Sequence, residues 1–123
     1  MQITQPIFIT NLIAAFNAKG YHAFNEVQDR ENPPQVVIQI NSVDIEKETA
    51  VTYRYSPEIS IVIMADAPEI DFYVKDITLT AEGAVTPDMR DFQITHTEIV
   101  QLGTTHLLTV YAKWTEIIYT GVT

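Results

Sequence analysis

Apolar residues recur at two different periods along this chain, and the switches between those periods divide it into elements. Ile9, Leu12, Ile13 and Phe16 are spaced as one face of a helix, which predicts a helix from Pro6 to Lys19. Thr4 or Gln5 stands at the cap position, Pro6 occupies the first turn, where an N–H is not needed, and Gly20 supplies a left-handed stop. Tyr21 to Phe24 reads as a short edge strand. Asn25 to Gln35 is a polar loop containing Asp29, Arg30, Glu31, Asn32 and the Pro33-Pro34 pair. The period then becomes two: Val36, Ile38 and Ile40 mark a strand. The alternation moves to odd positions at Val43, Ile45, Val51, Tyr53, Tyr55, Ile59, Ile61 and Ile63, so a bulge or bend is expected near Asn41-Ser42. Glu46 to Thr49 is the polar tip of a hairpin. Pro57 lacks a ladder donor, which predicts two strands separated by a kink rather than one continuous strand.

The second helical period begins at Asp66-Ala-Pro-Glu69, which has the spacing of a capping box: an N-cap Asp, a proline in the first turn and a Glu three residues on. Ile70, Tyr73, Val74, Ile77 and Ala81 follow at helical spacing, with Gly83 as the stop. The segment is rich in β-branched and aromatic residues that favour strands. The periodicity nevertheless predicts a helix over Ala67 to Glu82. Ala84 to Arg90 is a loop. From Asp91 to Tyr119 the chain reads as one long β-hairpin around Gly103. Leu108, Val110, Ala112, Trp114 and Ile118 share one face of its second arm, with Tyr111 and Lys113 on the other. On the first arm Phe92, Ile94 and His96 alternate, whereas Ile99 has the opposite parity. A bulge near Thr97-Glu98 would reconcile them.

The second arm, Thr105 to Tyr119, would reach about 50 Å if fully extended at ~3.3 Å per residue. A domain of this size is only about 35 Å across. The strand must therefore bend, or project and pair with something else. The order of elements gives one α+β domain over residues 1–123: a mostly antiparallel mixed sheet with two helices and a long C-terminal β-hairpin.

Composition narrows the function. Sixteen acidic side chains against seven basic ones give a net charge of −9. That balance opposes sequence-specific nucleic-acid binding, which relies on Lys and Arg to neutralise phosphates, and opposes an anionic membrane surface. The chain has no cysteine, so disulfide and thiolate chemistry are excluded. The apolar N-terminus lacks a preceding positive residue and is interrupted by Asn11, unlike a signal peptide. No apolar run approaches the ~20 residues of a membrane span. A soluble domain made inside the cell is the expectation.

Catalytic signatures are missing. His22, His96 and His106 are the three histidines, and in the bulged register His96 lies opposite Val110, far from His106 for ligand distances of about 2 Å. Ser42, Ser56 and Ser60 do not lie in a Gly-x-Ser-x-Gly turn, and the four glycines form no phosphate-cradling loop. Asp66 with Glu69 is better explained as a helix cap, and Asp88 with Asp91 as solvated loop, than as acid–base pairs. No enzyme activity, metal or cofactor is expected. Tyr53, Tyr55, Tyr111, Trp114 and Tyr119 are expected to serve in packing, although Tyr53, Tyr55 or Tyr111 on an exposed face would suit a peptide or ligand.

The N-terminal amphipathic helix, the Val36–Ile40 strand, the passage Ile59-Ser-Ile-Val-Ile-Met-Ala-Asp-Ala-Pro-Glu69 and the closing Leu107-Leu-Thr-Val-Tyr-Ala-Lys-Trp114 together resemble the tail terminator proteins of long-tailed bacteriophages. The likeness is one of architecture over most of the chain rather than of a short motif. The resemblance implies a structural protein of the virion tail, made in the bacterial host cytoplasm. Such a protein forms a ring, typically hexameric, that caps the tail tube, ends its polymerisation and presents the surface to which the head connector attaches. It implies no catalytic residues. The residues expected at subunit or partner contacts are Tyr111, Lys113, Thr115 and Glu116 on the projecting hairpin, with Asp29, Arg30, Glu31 and Asn32 in the polar loop. The alternative is a small α+β adaptor that holds a peptide or ligand.

Overall fold

The computed structural model describes residues 7–24 and 35–119. Helix α1 (Ile7–Ala18) leads to the short strand β1 (His22–Phe24). Two long antiparallel strands follow, β2 (Gln35–Lys47) and β3 (Thr52–Asp66). A single 3-10 turn, Ala67–Glu69, opens helix α2 (Ile70–Gly83). The hairpin β4 (Arg90–Leu102) and β5 (Thr105–Tyr119) closes the fold. The strands lie in the order β1-β2-β3-β5-β4; β1 is parallel to β2, and every other pairing is antiparallel. This is the expected α+β fold, with a mostly antiparallel mixed sheet, two helices and a long C-terminal hairpin.

Both helices cover one face of the sheet. From α1, Phe8, Ile9, Leu12 and Phe16 are buried, and from α2, Ile77 and Ala81, against Val36 and Ile38 of β2, Ile59, Ile61 and Ile63 of β3, and Leu108, Val110 and Ala112 of β5. Trp114 ends this core, its ring 4.7 Å from that of Phe8 and 6.5 Å from that of Phe92. The end of α1 follows from Gly20. At φ +95° it turns the chain left-handed, while Tyr21 N–H donates to the Phe16 carbonyl and Gly20 N–H to that of Asn17. The Tyr21 ring then packs edge-on against Phe16 at 5.3 Å, the apolar contact that accompanies this type of helix end.

The two helices are joined through Asp76, whose Oδ2 accepts from the Tyr21 hydroxyl at 2.6 Å and whose Oδ1 accepts from Lys19 Nζ at 3.0 Å. Burial opposes ionisation of this carboxyl, but the two hydrogen bonds and the Lys19 charge outweigh it and hold its pKa below the usual range. The Tyr21 phenol is pushed well up, first by burial and then by its bond to Asp76.

Three local expectations are corrected. Strand β3 is continuous through Pro57, which pairs with Val43 on one side. Toward β5 the pairing lapses at Ser56 and Pro57 and resumes at Glu58↔Lys113 in the same register. One lost ladder bond, about 1 kcal/mol, is outweighed by the long paired runs that flank it. The capping box does not form. Asp66 is held in the ladder opposite Thr105, so the helix starts later, with Glu69 as N-cap and no side-chain cap bond. At its other end α2 stops at Gly83 as expected, through the right-handed Ala84, whose N–H donates to Ala81.

The third correction concerns β4. Its register shifts between Ile94 and His96, not at Thr97-Glu98, and shifts again between Arg90 and Gln93, where Asp91 sits at φ +54°. At the bulged Thr95 the hydroxyl donates to the Tyr111 carbonyl at 3.3 Å. His96 consequently lies opposite Tyr111, and Thr97 lies opposite Val110. The shift between Ile40 and Ser42 in β2 falls at the expected place, with Asn41 accepting from the buried Ser60 hydroxyl at 3.1 Å.

Candidate functional site

Among the described residues, two surfaces of the sheet carry no covering layer. One is the whole face opposite them. Strand alternation turns Ser60, Val62 and Met64 of β3, Leu107, Thr109, Tyr111 and Lys113 of β5, and His96, Glu98 and Val100 of β4 toward it. The other is the far end of the helix side, where Ile45, Tyr55 and Glu116 form one cross-strand row and Lys47, Tyr53 and Ile118 the next. Ile45 is 62% exposed and Ile118 is 41% exposed, so the excess length of β5 is spent beyond the helical layer.

Tyr111 organises the bare face. Its ring stacks on His96 at 5.9 Å, and its hydroxyl donates to Glu98 Oε2 at 3.2 Å. The other Glu98 oxygen lies 3.6 Å from His96 Nε2. Partial burial, the Glu98 bond, and the charges of Glu98 and Glu58 all raise the Tyr111 phenol above its ordinary pKa, so it remains a neutral donor. Two residues along β5, Lys113 faces Glu58 and Gln93 across the ladder. There the lapse at Pro57 and the two bulged strands open a shallow polar cleft of about 430 Å³, whose walls include Asp44, Glu58, Asp91 and Lys113. Ser56 and Thr115 share a hydroxyl contact of 3.3 Å at its floor.

The structure therefore brings Tyr111, Lys113 and Thr115 onto one surface. Glu116 is not part of it. It points to the helix side, where one carboxylate oxygen accepts from Trp114 Nε1 at 3.0 Å and its charge, after burial, helps raise the Tyr55 phenol. Asp29, Arg30, Glu31 and Asn32 lie outside the described residues. His96 and His106 stand on opposite faces, and among the described residues no three His, Asp or Glu side chains are grouped as metal ligands. Tyr53 and Tyr55 likewise face away from Tyr111, so the three tyrosines do not converge on one ligand. Among the described residues no helix is long and apolar enough to cross a membrane.

Sequence reasoning missed the cleft and the Tyr111–Glu98–His96 cluster. Both depend on where the bulges fall, and parity reveals that a bulge exists without giving its position. No known family model matches the chain, and a search of curated proteins likewise finds no match.

Proposed function

We propose that this chain is a structural protein of a bacteriophage tail, a ring-forming terminator that caps the tail tube and offers a surface to the head connector. The observation that carries this reading is the mismatch between a sheet with strands of 13 to 15 residues and a helical layer that covers one face of only part of it. A monomer gains little from a bare face and a bare far end; a subunit between neighbours needs both. Tyr111, Lys113 and Thr115 form the contact on the bare face, and Tyr53, Tyr55 and Ile118 form one on the far end. Half-buried tyrosines such as these, with an apolar ring and a polar hydroxyl, suit protein interfaces. Heterologous contacts of this kind close into a ring when the rotation between subunits permits. The net charge of −9 suits a conduit along which DNA passes without adhering.

The test is tube assembly in vitro. Added to a polymerising tail-tube protein, the chain should bind tube ends and shorten the length distribution in electron micrographs. Tyr111→Ala combined with Lys113→Glu should weaken that effect while leaving the circular dichroism spectrum unchanged. Tubes that grow to the same lengths with and without the chain would refute the reading.

A further inference from the structure

We propose that the outer edge of β4, from His96 to Leu102, is a self-pairing surface on which a second copy of this chain lays the same strand antiparallel, about a twofold axis near Ile99. Among the described residues β4 ends the sheet, so one row of its backbone N–H and C=O groups has no ladder partner. Natural edges are protected by charges, proline, bulges or covering segments. The opposite edge has such protection: β1 covers the start of β2, Asn41 bulges, and Asp44, Glu46 and Lys47 follow. The first half of β4 is also broken, by the shift at Asp91 and the bulge at Thr95.

From His96 onward, among the described residues, no proline, bulge or covering segment protects the edge, and its single charge, Glu98, is held by Tyr111 and His96. The register to β5 is unbroken from His96 to Leu102. Ile99 on the helix side, and Val100 and Leu102 on the bare side, are each about half exposed, at 51%, 49% and 49%. An extended strand is what such an edge binds, through main-chain hydrogen bonds and alternate side chains. A strand that fits must carry apolar residues on both faces over a few positions, and β4 is itself such a strand.

Charge selects the same occupant. Copies of a chain with net charge −9 repel one another, so they approach most easily where carboxylates are sparse. Residues 92–110 contain a single formal charge, Glu98, and that carboxylate is already engaged by Tyr111 and His96. With the axis at Ile99, Glu98 faces Val100 of the other copy and the two carboxylates are not opposed. A twofold pair closes on itself. It is therefore a state of the free chain, distinct from the ring contacts at Tyr111 and Lys113, and it holds whether or not the chain caps a tube.

Because the chain has no cysteine, introduced ones give an unambiguous test. Ile99→Cys should form a disulfide-linked dimer on mild oxidation, since residues directly opposed across an antiparallel pair lie about 5 Å apart at Cβ. Phe72→Cys, equally exposed but on α2, should not. Val100→Lys, the charge that natural edges use, should weaken wild-type dimerisation in sedimentation velocity by about tenfold or more. A wild-type chain that stays monomeric at millimolar concentration overturns the proposal, as does cross-linking of Phe72→Cys as fast as Ile99→Cys. Rings that form normally from Val100→Lys would leave the tube-capping reading standing, whereas a β4-linked dimer that never caps tubes would sink that reading alone.

Discussion

The two ends of the sheet contain the same strands with the same alternation but have different surroundings. At the covered end, the row Ile38, Ile61 and Val110 is fully buried under α1 and α2. At the far end, Ile45, Tyr55 and Glu116 alternate in the same phase, yet no helix lies over them. Alternation thus reports which side of a strand a residue occupies, while burial depends on a second layer that the strand does not encode. The covered end is a core, and at the far end the same alternation is left without a second layer among the described residues.

The comparison can be broken most forcefully at its boundary. Trp114→Ala removes the ring packed on Phe8 and Phe92 and leaves Glu116 without its donor. The expected loss is about 3–5 kcal/mol of unfolding free energy in urea titration. Leu12→Ala, under the middle of the sheet, should cost about 2–5 kcal/mol. The same type of deletion at the far end, Ile45→Ala, should cost well under ~1 kcal/mol in the free chain, because the side chain is largely solvated already. A loss at Ile45 as large as at Leu12 would erase the distinction between the ends.

A smaller effect tests the covered end through pH. The folded pKa of Asp76 is depressed, so its contribution is present above the ordinary carboxylate value of about 4 and is lost as pH falls through the lower folded value. Asp76→Asn should cost about 1–2 kcal/mol at neutral pH and flatten the acid limb of the stability profile. The Tyr21 phenol is raised, so its contribution is intact below about pH 10 and declines as pH rises beyond that. Tyr21→Phe should lessen the alkaline decline, read as the slope of stability against pH between about 10 and 12, and leave the part due to the other raised phenols.

Much of the fold was legible because strong periods carry it. The α1 face, the Gly20 stop, the Asn41 shift, the α2 face and the hairpin turn at Gly103 all followed from residue spacing. In α2 the helical period won over β-branched content because it buries Ile77 and Ala81 in the core, while Thr78 and Thr80 satisfy their hydroxyls on the carbonyls of Val74 and Asp76 one turn back. The failures arose where a long-range ladder overrode a local signal. Asp66 has the spacing of a cap, but pairing with Thr105 keeps it in the sheet. Pro57 has the chemistry of a break, but Tyr55 and Glu58, on either side of the lapse, are each paired to both β2 and β5. On β4, any bulge between Ile94 and Ile99 satisfies the parity, and its placement at Thr95 rather than Thr97 turned His96 onto Tyr111. Of the four hairpin residues expected to act together, Tyr111, Lys113 and Thr115 share one side of β5 and Glu116 takes the other, because neighbouring strand residues alternate sides.

The most direct test of the central claim, that the uncovered parts of the sheet are contact surfaces, is hydrogen exchange of the backbone amides at rising protein concentration and then on tail tubes. Rising concentration should slow exchange along His96–Leu102, and tube binding should slow it around Tyr111–Thr115 and at the far end of β3 and β5, with α1 and α2 unchanged. New protection confined to the outer faces of the helices, around Phe72 and Leu79, would contradict it.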